Sequence, residues 1–345
     1  MSVALSRFPL GEQSGPQLLS GARAAIGPVL RSAVDSLREP LNRMGGYHFG
    51  WCDSAGMPAM GSTGKALRPA LVFAAAVACG GDPGQARHAG AAVELVHNFS
   101  LIHDDVMDRD ELRHGRATVW RRWGETNAIV LGDAIHALAL AVLVDGVPDQ
   151  VAAEAVMRLE IATINLCGGQ YRDCAFETSP PVDVTEYLAM VEGKTGALLG
   201  VSCALGALCA GADHARVSQM YTFGCQLGVA FQIIDDALGI WGDPQLTGKP
   251  AGNDLLRYKQ TYPVVFAMTS NTESGRSLAG MYASLELSEP ASVAQATRLI
   301  ERTGGRTATQ HQASHHITAA FEALPPDLLT GDLEALARLV TSRKW

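Results

Sequence analysis

Apolar residues recur at helical spacing through most of this 345-residue chain, and no stretch of polar/apolar alternation rich in β-branched residues interrupts them. The pattern predicts helices over 66–79, 84–103, 126–144, 150–166, 184–210, 215–241, 292–303 and 307–324. Gly80, Gly81, Pro148, Pro180, Pro181, Pro244, Pro250, Pro290, Pro325 and Pro326 supply the breaks. Nothing has the composition of a linker between domains. The expectation is therefore one all-α domain over 1–345, with helices arranged around an interior. At 47% hydrophobic and 18% charged residues, the chain has material for a large core and too little charge for disorder.

A formal charge of −8 and the absence of any basic run argue against nucleic acid as a partner. Seven scattered cysteines form no CxxC pair, which fits a reducing, cytoplasmic setting. The first fifteen residues lack the apolar core of a signal peptide. Residues 195–212 carry no charge and reach the length threshold of a spanning helix. Gly196, Gly200, Gly206 and Gly211, set among alanines, favour a close-packed internal helix there, and no transmembrane segment is expected.

The sharpest chemical feature is FSLIHDDVMDRDELRHG at 99–115, an apolar helical run that ends in five carboxylates within eight residues. Acids at a helix C-terminus face the negative end of its dipole and repel one another, so something must compensate. Asp104 and Asp108 are one turn apart on a common face, with Asp105 adjacent. Such oxygen donors suit Mg²⁺ when substrate phosphates complete its shell. A second apolar run, FQIIDDALGIWGD, ends in Asp235 and Asp236, 131 residues after the first pair. That separation is too long for a stacked repeat and fits two similar half-sites facing a cavity. Cations stand beside Gly or Pro breaks: Lys65 and Arg68 in GKALRP, Arg113 and Arg116 in LRHGR, Lys194 in EGKTG, Lys249 in TGKP and Lys259 in KQTYP. Acids for metal together with separated cations imply a polyphosphate substrate held in two anion pockets.

The ordered set GKALRP, HNFSLIHDDVMD, LRHG, GQYRD, GKTG, FQIIDDALGIWGD, TGKP and KQTYP resembles the trans-isoprenyl diphosphate synthase family over roughly 60–265. The resemblance implies an all-α helical barrel around a deep cavity, a homodimer, and Mg²⁺-dependent joining of isopentenyl diphosphate to an allylic diphosphate. By the same likeness Asp104, Asp108 and Asp235 would hold Mg²⁺, supported by Asp105 and Asp236. Arg113, Lys194, Lys259 and Lys249 would bind the allylic diphosphate. Lys65, Arg68 and His97 would bind isopentenyl diphosphate, with His114 at a neighbouring position, and Thr195 and Gln232 would lie beside the reacting carbons.

Three positions depart from the family pattern. His114 stands where an arginine is usual, Ala117 where proline is common, and Gly239 where the second motif has its third aspartate. Phe99 and Ser100 precede Asp104 by about 6–8 Å of helix at 1.5 Å per residue, where they would wall the growing chain. That pattern is similar to enzymes with C15–C20 products, geranylgeranyl diphosphate foremost. A terpene cyclase or irregular coupling enzyme on the same fold, a non-catalytic subunit, and a zinc site using His97, His103 and His114 are the competing readings.

Overall fold

The computed structural model describes residues 13–59, 61, 64–177, 179–243, 252–287 and 289–341. Helices make up nearly all the regular structure. The departure is a hairpin of Leu112–Arg113 (β1) and Arg116–Ala117 (β2), paired antiparallel. Two-residue strands leave no alternation to read in the sequence. His114 at φ 51° and Gly115 at φ 76° form the turn, the two left-handed residues that a tight type I′ hairpin requires. Histidine tolerates that backbone better than most side chains, which gives a local reason for its presence.

The chain folds as two compact units, one of 1–161, 201–221 and 326–336, the other of 162–200, 222–325 and 337–345. The first contains α1 (Gly15–Asp35), α2 (Leu41–His48), α3 (Leu67–Ala78), α4 (Arg87–Met107), α5 (Val119–Trp123), α6 (Glu125–Gly146) and the start of α7 (Asp149–Phe176). At its centre α4 packs against α1 and α3 and most extensively against α6. Leu95, Val96 and Ile102 of α4 are fully buried, each contributing about 1.5–3 kcal/mol relative to exposure. Residues of the uncharged segment close on α3: a Cβ on Gly206 would lie 2.1 Å from the Val72 carbonyl oxygen, so only glycine permits that approach.

The second unit contains the end of α7, α8 (Val184–Val191), a π-helical turn at Glu192–Gly196, the start of α9 (Ala197–Cys209), most of α10 (His214–Trp241), α11 (Asn253–Leu256), α12 (Tyr262–Thr269), α13 (Glu273–Ala283), α14 (Pro290–Arg302) and α15 (Gly305–Glu322). Tyr187, Val191, Ile233, Tyr262 and Val265 anchor one core cluster, and Leu255, Val264, Leu278 and Ile300 another. The helix expected over 184–210 is thus interrupted by the π turn. The helix expected to end at 166 runs on to Phe176, because Gly168 and Gly169 do not break it. A Cβ on Gly169 would stand 2.1 Å from the Lys194 backbone nitrogen, so that glycine serves close packing.

Among the described residues, three helical stretches, Glu125–Gly146, Val184–Cys209 and His214–Trp241, are long and apolar enough to cross a membrane. In their most apolar 18-residue windows, 72% of the residues are buried in Val184–Cys209, as the small-residue pattern at 195–212 predicts, 67% in His214–Trp241 and only 33% in Glu125–Gly146.

Candidate active site

In the first unit α4 carries His97, Phe99, Ser100, Asp104 and Asp105, and Asp108 forms its C-cap. The compensation for that acidic helix end comes from the hairpin. Arg113 Nε donates to Asp105 Oδ1 at 2.9 Å and to Oδ2 at 3.1 Å, while Nη2 donates to Oδ1 at 2.7 Å. Asp105 is 1% exposed, so this forked pair is internal, and the neighbouring Asp104 and Asp108 remain partly exposed. Arg116 has a different task from the one its charge suggests. Its guanidinium lies over the Tyr47 ring and donates to the Tyr47 and Cys52 carbonyls at 2.9 and 3.0 Å, tying down the loop after α2.

Lys65 precedes α3 and Arg68 occupies its first turn. Burial draws the Arg68 pKa down to about 10, opposed by the nearby Glu94 carboxylate, so it stays cationic. Its Nε is buried without a hydrogen-bond partner, a donor suited to an anionic oxygen. Burial, then Arg68 and Arg113, hold the His97 pKa well below its ordinary value, so that imidazole is neutral. Burial, Arg113 and Lys65 likewise lower His114. Arg68, Arg113 and His114 thus lie within electrostatic reach of His97, and Arg113 and Lys65 within reach of His114, although they are separate in sequence.

Behind them His48 Nε2 sits 2.9 Å from Asn98 Oδ1, and Asn98 Nδ2 donates to the Glu94 carbonyl at 2.7 Å. Burial lowers the His48 pKa from 6.5 to about 4. Between those values the unfolded chain binds a proton that the folded protein refuses, so stability rises with pH. Acidification from pH 6.5 to 4 should cost up to about 3 kcal/mol through this residue. His48→Gln should flatten the pH dependence of the melting temperature in that window; an identical slope would contradict the assignment.

Ser100 is buried, and its hydroxyl donates to the His97 carbonyl at 2.8 Å. The Phe99 ring meets His103 edge-on at 5.4 Å and His136 of α6 at 5.1 Å between centroids.

In the second unit one pocket is lined by Asp173, Glu177, Lys194, Thr195, Gln232, Asp235, Asp236, Asp254 and Lys259, together with Tyr187 and Gln260. The π turn presents Lys194 and Thr195; π turns inside helices recur at functional positions. Lys194 Nζ donates to Asp173 Oδ2 at 2.5 Å. Thr195 Oγ donates to Gln232 Oε1 at 3.0 Å, and Gln232 Nε2 donates to Asp236 Oδ1 at 3.0 Å. Asp236 also accepts from the Tyr187 hydroxyl and, at 2.9 Å, from the Tyr262 backbone N–H. Burial pushes its pKa up to about 7 against the pull of those donors. Asp235, by contrast, is exposed. In both acidic motifs the first aspartate is available to solvent and the second is anchored internally.

Two lysines face five carboxylates in that pocket, a donor set that fits divalent cations. Among the described residues no three His, Cys, Asp or Glu side chains form a group that could hold a metal alone, so water or phosphate oxygens would supply further ligands to any metal held here. Lys249 lies outside the described residues. Sequence reasoning missed Asp173, Tyr187 and Asp254 as pocket residues. The Asp173 signal was present in GQYRD; Tyr187 and Asp254 had none at the level of spacing.

An all-α scaffold with acids and cations gathered in these sets is built for metal-assisted polyphosphate chemistry. The profile of the polyprenyl synthetase family matches residues 50–300. Geranylgeranyl diphosphate synthase of Mycobacterium tuberculosis is 50% identical over 330 residues, covering 96% of this chain and 94% of its own. A (2E,6E)-farnesyl diphosphate synthase of Mycobacterium bovis is 42% identical over 334 residues, covering 95% and 93%. The crystal structure of a polyprenyl synthetase from Streptomyces coelicolor A3(2) superposes with a TM-score of 0.90 at 41% identity, covering 94% of this chain and 99% of that one. The chain belongs to the polyprenyl synthetase family.

Proposed function

We infer that this family member is a trans-prenyltransferase, and propose that it joins isopentenyl diphosphate to an allylic diphosphate with Mg²⁺ to give geranylgeranyl diphosphate. The observation carrying the reading is the pocket in which the π turn sets Lys194 and Thr195 among Asp235, Asp236, Gln232 and Lys259. Asp104, Asp108 and Asp235 are the proposed Mg²⁺ ligands, with Asp105 and Asp236 fixing the backbone and side chains around them. Bound there, Mg²⁺ would neutralise the departing diphosphate and so ease rupture of the allylic C–O bond. Lys194, Lys259 and Arg113 are proposed to take up diphosphate charge as preorganised cations, and the family likeness gives Lys249 the same task. Arg68, Lys65, neutral His97 and neutral His114 receive the diphosphate of isopentenyl diphosphate, the buried Arg68 Nε finding its missing acceptor there. Asp236 fixes the Gln232 amide by taking Nε2, which turns Oε1 toward Thr195. The two side chains thereby offer fixed oxygen dipoles to a developing carbocation.

Greater identity to the geranylgeranyl than to the farnesyl synthase supports a C20 product. Incubation with Mg²⁺, isopentenyl diphosphate and allylic primers should yield the C20 diphosphate and release inorganic diphosphate. A hydrocarbon from one allylic diphosphate alone, or no elongation with any primer, would refute the reading. Phe99→Ala should shift products beyond C20 if that ring limits chain growth, at a packing cost of about 3–5 kcal/mol; an unchanged product mass would remove Phe99 from the wall.

A homodimer and a cytoplasmic setting belong to the same proposal. The exposed Ile129, Val130 and Val144 of α6 support the first, since a helix so apolar and so little buried is suited to a second copy. The scatter of the cysteines supports the second.

A further inference from the structure

Arg116 is a cation beside the proposed diphosphate contacts, yet its donors are occupied by the protein's own backbone. In the hairpin it stands directly opposite Arg113. Arg113 grips Asp105 at the end of α4, whereas Arg116 turns to the end of α2. Its guanidinium lies 4.1 Å from the Tyr47 ring centroid, and its two terminal nitrogens donate to the Tyr47 and Cys52 carbonyls. The Tyr47 hydroxyl donates in return to the Ala117 carbonyl at 2.8 Å. Hairpin and helix end are therefore laced together in both directions.

The same guanidinium closes the loop that follows α2. The Gly61 N–H donates to the Gly50 carbonyl at 2.9 Å, and a Cβ on Gly61 would stand 3.0 Å from Arg116 Nη1. A Cβ on Gly50, where φ is 77°, would come within 3.4 Å of that atom. These two glycines let the ends of the loop meet beneath the guanidinium. Gly61 lies four residues before Lys65, and the intervening Gly64 carbonyl accepts from Arg23 Nη2 at 2.7 Å. Beside Tyr47, His48 reaches Asn98, the chain neighbour of His97. Arg116 thus connects within a few steps to the turn bearing His114, the approach to Lys65 and Arg68, and the helix face bearing His97.

We propose that Arg116 is a positioning residue for the isopentenyl diphosphate pocket, a strap between the hairpin and the loop after α2. It rests on the functional reading above and makes no contact with substrate. Arg113 has its own anchor in Asp105, so the allylic side does not depend on the strap.

The test measures KM for isopentenyl diphosphate and for the allylic primer in wild type, Arg116→Met, Arg116→Lys, Tyr47→Phe and Arg116→Met/Tyr47→Phe. Arg116→Met should raise the isopentenyl diphosphate KM at least about tenfold, the scale of one misplaced charge-assisted contact, and the primer KM less than about twofold. Arg116→Lys should do nearly the same, because an ammonium keeps the charge without the fork that bridges two carbonyls. Tyr47→Phe keeps the ring and loses only the bond to Ala117, so it should raise the same KM about threefold. The double variant should fall short of the product of the single effects, since both cut one connection. Wild-type KM in Arg116→Lys would make the side chain a point charge for substrate. Two constants that stay put or rise together in Arg116→Met would make it merely structural. Either result, or effects that multiply in the double variant, overturns the strap while wild type still elongates. A wild type that elongates no primer would overturn the functional reading instead.

Discussion

Asp104→Asn should lower kcat by about 10²–10³-fold, the cost of removing one preorganised electrostatic contribution to a charged transition state. The folded protein should not suffer for it. Asp104 sits in the last turn of α4, partly exposed, beside Asp105 and one turn before Asp108. Each carboxylate there opposes the helix dipole and its neighbours, an effect of about 0.3–1 kcal/mol. The metal-free variant should melt at the same temperature as wild type or slightly higher, so activity and stability move in different directions. That divergence separates a ligand from a structural acid. A variant with activity within twofold of wild type would remove Asp104 from the metal site, and a clear loss of metal-free stability would make it a structural residue.

Arg113→Ala should have the opposite profile, with stability as the first casualty. The Asp105 carboxylate is 1% exposed and receives its charged donors from Arg113. Removing the guanidinium strands a buried charge, at about 3–5 kcal/mol. The double variant Asp105→Leu/Arg113→Met should recover most of that loss, because an apolar pair of similar volume satisfies the same space. It should recover none of the activity, since Arg113 is also a proposed diphosphate contact. Urea unfolding midpoints with matched elongation rates measure both effects. A single variant within about 1 kcal/mol of wild type would mean that the pair contributes little.

The helices that organise the site were legible because their apolar residues keep one period over many turns, as in α4 and α10. Both aspartate pairs fall where that period ends. The helices that were missed lack that signal. Within α1, Pro28 interrupts an otherwise helical run, and α12, YPVVFAMT, is apolar on every side and so has no period. The π turn at Glu192–Gly196 was invisible for a related reason: one extra residue per turn barely disturbs an uncharged sequence, though it decides where Lys194 and Thr195 are presented. Spacing identified Asp105 and Asp236 as site residues without revealing that each is an internal anchor, one for Arg113 and one for Gln232, Tyr187 and Tyr262. Those partners come from other elements, and a pattern of residues along one helix cannot contain them. The same limit hid Asp254, which joins the pocket from a separate turn.

The direct measurement of the central claim is the anomalous scattering of manganese in crystals grown with Mn²⁺ and a non-hydrolysable allylic diphosphate analogue. The account predicts metal ions on Asp104 and Asp108 and on Asp235, with diphosphate oxygens among their ligands. Metal on one motif alone, or a diphosphate bound away from either, would contradict it.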